Sequence, residues 1–187
     1  MVLGLMGLLT VALFRTGASG WKKLEAQSTM LADYEVLQAK LSREAQRSTF
    51  VSASTETDAD GTTLAFLSAV DDSGEFVLDN GTFNPLWQKY LVFYYESSTR
   101  NVYLSEVPLA PGSPESTSPE PLEFYDAGSG KLKDYRTGGR LLMTDVDVCN
   151  FTLDNTMLIT EIEGSRLRYG DSEPEELKMI TSVAFRN

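Results

Sequence analysis

The chain has 187 residues, a formal net charge of −11 at pH 7, no histidine and a single cysteine, Cys149. The acidic balance argues against a nucleic-acid-binding protein, because neutralising phosphates requires clustered Lys and Arg. Without histidine, His-based triads and His-ligated metals are excluded, and one cysteine cannot form an internal disulfide or a thiolate zinc site. The composition therefore argues against a hydrolase or redox enzyme, and we expect no catalytic residue, no metal and no cofactor.

The first 49 residues form the most regular pattern in the chain. Residues 1–14 are an apolar run, and no proline occurs before residue 85. Apolar residues then recur at intervals of three, four and seven, which is typical of one face of a helix. The predicted residues for membrane or filament packing are Leu3, Leu5, Leu8, Leu9, Val11, Leu13 and Phe14, and those for packing of the stalk on the head are Trp21, Leu24, Leu31, Tyr34, Leu37 and Leu41.

The apolar run allows three interpretations, because a membrane-spanning helix needs about 20 apolar residues. It could be a secretory signal peptide with residues 17–20 as the cleavage region, or a buried core helix. It could also be a membrane helix whose first residues and basic leader precede Met1. Arg15, Lys22 and Lys23 follow the run, which by the positive-inside rule alone would place the head in the cytoplasm. Continuity with the amphipathic part favours the membrane helix.

After residue 50 the hydrophobic periodicity is near 2, which predicts a β-rich domain. Residues 87–96 (WQKYLVFYYE) are dense in aromatic and β-branched side chains and are predicted to be the central strand. Residues 55–62 are predicted to be a polar turn and 122–135 a hairpin or irregular meander. The other predicted strands are 63–70, 76–83 with a turn at Asn80-Gly81, 102–107, the end of 140–154, 157–164 and 177–185.

These patterns divide the chain into two parts. Residues 1–49 are predicted to be a stalk helix, and residues 50–187 a globular head. Residues 108–121 hold five of the seven prolines and are predicted to be an exposed surface loop of the head. The expected fold class is α+β, with one long N-terminal helix, apolar in front and amphipathic behind, packed on an antiparallel sheet.

Two pairs of acidic residues are candidates for a metal site or an acid–base site. Asp58, Asp60 and Gly61 resemble the opening of a calcium loop, but the later ligands of such a loop are missing, so an Asp-Gly turn is favoured. Asp145 and Asp147, two residues apart, would share one face of a strand, where a solvated edge is favoured over an acid pair.

The remaining candidates are aromatic or sulphur-containing. Tyr90, Tyr94, Tyr95 and Tyr103 could form a face on which sugars stack, although cross-strand packing is favoured. Cys149 is expected to be a buried core residue, because no basic neighbour in the sequence would lower its pKa.

Three segments together resemble minor pilins and pseudopilins of the type IV pilus and type II secretion superfamily, nearest to the J-type pseudopilins and W-type minor pilins. Residues 3–48 are similar to the stalk, residues 86–104 (LWQKYLVFYYESSTRNVYL) to the Trp-containing strand pair, and residues 180–187 (ITSVAFRN) to the final strand. The family's leader, ending in glycine and followed by an aromatic and then an acidic residue, is not in this sequence. The cleavage site and methylated residue are therefore not carried over.

The resemblance implies a non-enzymatic subunit that waits in the bacterial inner membrane with its head in the periplasm. It then joins a type IV pilus or pseudopilus, with a place near the tip for J-type members. The implied partners are other pilins and the lipid bilayer, with no nucleic acid and no small-molecule substrate. A secreted or membrane-anchored module that binds carbohydrate or protein through an aromatic strand face is the alternative, and an exported histidine-free enzyme is a third hypothesis.

Overall fold

A computed structural model describes residues 2–109, 119–125, 131–167 and 174–186. In this part of the chain eight strands form two antiparallel sheets, one with the order β1-β2-β3-β4-β5 and one with the order β6-β7-β8. The strands are β1 Ser54–Asp58, β2 Gly61–Ser68, β3 Lys89–Glu96, β4 Asn101–Pro108, β5 Arg140–Met143, β6 Val146–Asp154, β7 Met157–Leu167 and β8 Pro174–Ala184. Helices are α1 Val2–Arg47 and α2 Leu122–Tyr125, with 3-10 turns at Phe50–Ser52 and Leu132–Tyr135.

The five-stranded sheet is built around β2 and β3, whose side chains are buried on both faces. One face meets the three-stranded sheet and α1, and the rings of Phe66 and Phe93 stack there with centroids 5.7 Å apart. The other face is covered by the connection between β4 and β5, where Leu109, Leu122 and Leu132 are buried. The prediction of 87–96 as the central strand is confirmed, because β3 lies in the middle of its sheet.

Among the described side chains of α1, the buried ones lie in its C-terminal part. Leu37, Leu41 and Ala45 are fully buried in the core between the sheets. The helix lies beside β8 and runs in the same direction, because Gln27 contacts Glu175 and the backbone N–H of Arg186 donates to Ser48 O. The compact unit therefore begins inside α1 rather than at residue 50.

The predicted fold class is wrong. The fold is mostly antiparallel sheet, in two sheets rather than one, and the helix fully described in it is a segment of only 21 residues, 27–47. The N-terminal helix does not pack one continuous apolar face on a sheet, because Leu13, Phe14, Trp21 and Leu24 are exposed. The physical reason is that the interior between two sheets is already filled by strand side chains, so the core accommodates only about six turns of helix.

Several local predictions also need correction. Residues 55–62 are predicted to be a turn, but residues 55–58 belong to the edge strand β1. The polar composition of this segment gives no signal for a strand. Residues 76–83 form isolated bridges rather than a strand. Residues 122–135 are predicted to be a hairpin or irregular meander; the structure has α2 and a 3-10 turn there instead of a hairpin, and residues 126–130 lie outside the described residues. Of the predicted loop 108–121, Pro108 belongs to β4, whereas 110–118 also lie outside the described residues.

Candidate functional site

The candidate site is the helical segment 13–25, which we call the free segment of α1. Four large apolar side chains are mostly exposed there: Leu13 by 73%, Phe14 by 78%, Trp21 by 73% and Leu24 by 65%. A large exposed apolar patch is unusual on a soluble monomer and marks a contact with protein or lipid. The exposed side chains therefore define the strongest candidate for a binding surface in the described part of the chain.

The shape of the free segment provides room for another helix. Phe14 and Trp21 lie seven residues apart and therefore on the same side of the helix. Gly17 and Ala18 lie between them and leave an open recess of about 570 Å³. An added Cβ at Gly17 would meet no atom within 4 Å. Small residues between large ones let two helix backbones approach closely, so the recess fits a side chain from a second helix.

The adjoining part of α1 is fastened to the head by polar contacts. Gln27 Nε2 donates to Glu175 Oε2 at 3.1 Å, and the Tyr34 hydroxyl donates to Thr181 Oγ1 at 3.2 Å. Both partners lie on β8, so the contacts fix the helix along this strand. The direction in which the free segment leaves the head is therefore set by two separate contacts on one strand.

An arginine adds a third contact to this junction. Arg166 Nε donates to Asp145 Oδ2 at 2.6 Å, and its Nη2 lies 3.6 Å from Asp33 Oδ2 on α1. One guanidinium thus joins the helix to the turn before β6. All three side chains are partly exposed, so solvent screening keeps the contribution of these pairs to stability small. Their role is to orient the helix.

The predicted packing residues fall into two groups. Tyr34, Leu37 and Leu41 lie buried in the core. The prediction that Trp21, Leu24 and Leu31 pack on the head is wrong, because all three are exposed, Leu31 by 38%. Of the membrane or filament residues, Leu13 and Phe14 are exposed, and the side chains of Leu3, Leu5, Leu8, Leu9 and Val11 lie outside the described residues.

Among the residues that the structure describes, no helix has the length and apolar character needed to cross a membrane.

The tyrosines do not form an open surface for sugars. Tyr90, Tyr94 and Tyr95 are at most 6% exposed. Tyr94 stacks on its cross-strand partner Tyr103 with ring centroids 5.2 Å apart, and the Tyr95 hydroxyl donates to Asp147 O at 2.8 Å. Burial raises the pKa of both Tyr94 and Tyr95. The aromatic strand face is thus a packing surface, as the favoured interpretation had it.

Asp58 is part of a turn and an ion pair. Its Oδ1 accepts hydrogen bonds from the backbone N–H groups of Asp60 and Gly61 and from Arg136 Nη1 at 2.9 Å. Burial raises the pKa of this carboxyl, but the hydrogen bonds from Arg136 and the turn outweigh it, so the pKa lies below its ordinary value. The described residues contain no group of three or more acidic or cysteine side chains that could hold a metal ion.

Asp145 and Asp147 do not share a strand face. Asp145 precedes β6 with a φ of 60° and pairs with Arg166. Asp147 lies within β6 and pairs with Arg100 Nη2 at 2.7 Å. Each carboxylate therefore serves a separate ion pair at the surface, and neither is placed for acid–base work with the other.

Cys149 is 1% exposed and belongs to the core between the sheets. Burial raises the pKa of its thiol far above the ordinary value, so almost no thiolate forms at neutral pH. The side chain acts as a small apolar group in the core.

The fold and site define a class: an antiparallel two-sheet β protein with a helix that is partly built into its core and partly exposed as an apolar segment. Comparisons with known proteins add no family to this description, since no protein-family model, no curated protein and no solved structure matches the chain.

Proposed function

We propose that this protein is a non-enzymatic subunit of a pilin-like filament, a minor pilin or pseudopilin of a type IV pilus or type II secretion machine. The observation that carries the proposal is the exposed apolar surface of the free segment. In a filament whose core is a bundle of such helices, like segments would cover one another. The proposal rests on this surface and on the resemblance of the three sequence segments, and not on the fold of the head.

The energetics favour an assembly role. Full burial of a large apolar side chain contributes roughly 1.5–3 kcal/mol, and the free segment exposes four of them. Association of two helices must also offset an entropy cost of about 4–15 kcal/mol. One pair of segments would therefore bind weakly, whereas a bundle in which each helix contacts several neighbours would be stable.

The proposal includes a location. Before assembly, the apolar start of α1 rests in the bacterial inner membrane and the head lies in the periplasm, where it meets the other subunits of the same filament. A helix that is apolar on several sides needs either lipid or other helices around it. Moving from lipid into the bundle exchanges one apolar environment for another.

Disulfide trapping tests the assembly role on the full chain in its native membrane. Ala18→Cys places an exposed thiol inside the recess of the free segment, whereas Cys149 is buried and stays unreactive. With an added oxidant, we expect the thiols of two neighbouring Ala18→Cys copies to form a disulfide, and the added change Leu24→Lys to reduce the yield of this product several-fold. A matched control is Val36→Lys, because Val36 is an apolar residue of α1 that is 61% exposed but adjoins the head.

Two results would contradict the proposal. One is a cross-linked product whose yield does not depend on Leu24. The other is an equal loss with Val36→Lys, since this would show that any added charge on α1 prevents assembly. Loss of the protein from the membrane fraction with Leu24→Lys, without loss of cross-linking in detergent, would assign the free segment to lipid instead.

A further inference from the structure

Apart from α1, the head carries an exposed aromatic side chain on a residue with an unusual backbone conformation. Phe83 lies in the connection between β2 and β3 with 71% of its surface exposed. Its φ is 57°, in the left-handed region that is unfavourable for a bulky L-residue and favours glycine. A large apolar side chain at such a position has neither burial nor backbone preference to explain it. Strained residues of this kind concentrate at binding sites.

A network of hydrogen bonds holds the backbone of the turn that carries this ring. The carboxylate of Asp79 accepts from the backbone N–H of Gly81 at 2.8 Å and of Thr82 at 2.7 Å, and from Thr82 Oγ1 at 3.0 Å. The N–H of Phe83 donates to Asp79 O, and the N–H of Asp79 donates to Asn84 O, both at 2.9 Å. We call residues 79–84 the Phe83 turn. Because it is already ordered, binding through it costs little conformational entropy.

The Phe83 turn lies at the end of the head opposite to the free segment. The connection that carries it leaves β2 beside the C-terminal end of α1, where Ser48 Oγ donates to Leu67 O at 2.5 Å. The free segment leaves the head from the other end of the packed helix, beside Glu175. A contact at the Phe83 turn would therefore not compete with packing of the free segment.

The charge of the connection that carries Phe83 indicates which class of partner could bind there. Residues 69–88 hold four acidic residues, Asp71, Asp72, Glu75 and Asp79, and no Lys or Arg. The nearest base, Lys89, is already paired with Asp72 and with Glu106. The connection that carries Phe83 is therefore acidic, and it is repelled by the negative surface of a membrane and by a second copy of this acidic chain. It complements a surface that carries Lys or Arg.

We propose that Phe83 is the anchor of a docking surface. Its ring inserts into an apolar pocket of a different protein, and basic residues line the rim of that pocket. Leu78, which is 39% exposed on the same turn-bearing segment, extends the apolar contact. Large side chains that fill a pocket near the centre of an interface, ringed by contacts that exclude water, carry most of the binding energy of protein–protein complexes. The proposal goes beyond assembly through α1 and is independent of it.

The test uses the full chain in the cells that make it. A photo-crosslinking residue at Asn80, on the Phe83 turn, should give one adduct with a different protein, and the same residue at Val51, which is 62% exposed, should not. That protein is then purified and titrated with the full chain. We expect Phe83→Gly to weaken binding by at least about tenfold, as truncation of a central anchor does. Added salt should weaken binding of the unchanged chain as well.

Two variants separate binding from folding. Phe83→Gly relieves the left-handed backbone and should therefore leave the melting temperature unchanged or raise it. Phe124→Ser removes another aromatic ring, 70% exposed, and should leave the affinity unchanged. Four results would overturn the proposal: no adduct at Asn80, an adduct with this chain itself, binding to anionic lipid vesicles that depends on Phe83, or equal affinity of Phe83→Gly for the purified protein.

Discussion

Replacing Leu41 and Leu24 by alanine, one at a time, measures which part of α1 belongs to the fold. Leu41 is fully buried among side chains of both sheets, and Leu24 is 65% exposed on the free segment. Leu→Ala in a core costs about 2–5 kcal/mol, more where the surroundings cannot collapse into the space. Strands on both sides restrict collapse here, so we expect about 3–4 kcal/mol for Leu41→Ala. Leu24→Ala should cost less than about 0.5 kcal/mol.

Chemical denaturation of the full chain in a mild detergent provides the assay. Trp87 is buried and reports on the head, whereas Trp21 is exposed and contributes a constant background. The Leu41 variant should unfold at a clearly lower denaturant concentration with an unchanged slope. A cost above about 1 kcal/mol for Leu24→Ala would refute the reasoning, because it would show that the free segment packs within its own chain. So would a cost below about 1 kcal/mol for Leu41→Ala.

Two further predictions concern the turn between β1 and β2. Gly61→Ala should destabilise the head by more than about 3 kcal/mol or prevent folding. Gly61 has a φ of 151°, and an added Cβ would lie 1.8 Å from the backbone oxygen of Tyr95. The control is Gly20→Ala, whose Cβ would meet no atom within 4 Å and which should leave the melting temperature of the head unchanged. Asp58→Asn should lower stability at pH 7, where the ion pair with Arg136 exists. The folded-state pKa of Asp58 is lowered from 3.8, so the contribution is complete above that value and is lost as pH falls below it. Equal stability of the two proteins at pH 7, or a difference that grows with acid, would contradict this.

Much of the sheet could be predicted because its signal is local. Residues 87–96 combine aromatic and β-branched side chains with a short return through 102–107, and both strands are found. β1 was missed because its sequence, STETD, is polar: as an edge strand it is stabilised by pairing with β2 more than by burial of its own side chains. The number of sheets could not be predicted, since alternation describes a strand's two faces and not the layer that each face meets.

The free segment shows a second limit of pattern analysis. An apolar stripe continues from Trp21 to Leu41, and periodicity treats all of it alike. Among the side chains that the structure describes, those of this stripe are buried where α1 runs next to β8, because the length of the neighbouring strands sets where packing ends. The conformation of Phe83 was not predictable either, although Asp79 followed by Gly81 and Thr82 is the type of sequence that closes a tight turn.

The parallel course of α1 and β8 determines how the molecule bears mechanical load. Tension on the start of α1 is directed along β8, which is paired with β7 over eleven consecutive residues from Pro174 to Ala184. The segment after β8 is joined to the end of α1 by the bridge between Thr49 and Arg186. A force along this axis therefore loads the hydrogen bonds between β7 and β8 in shear. The bonds then share the force and do not break one after another. A head that is dragged by its helix would resist extension far better than one that is pulled across its strands.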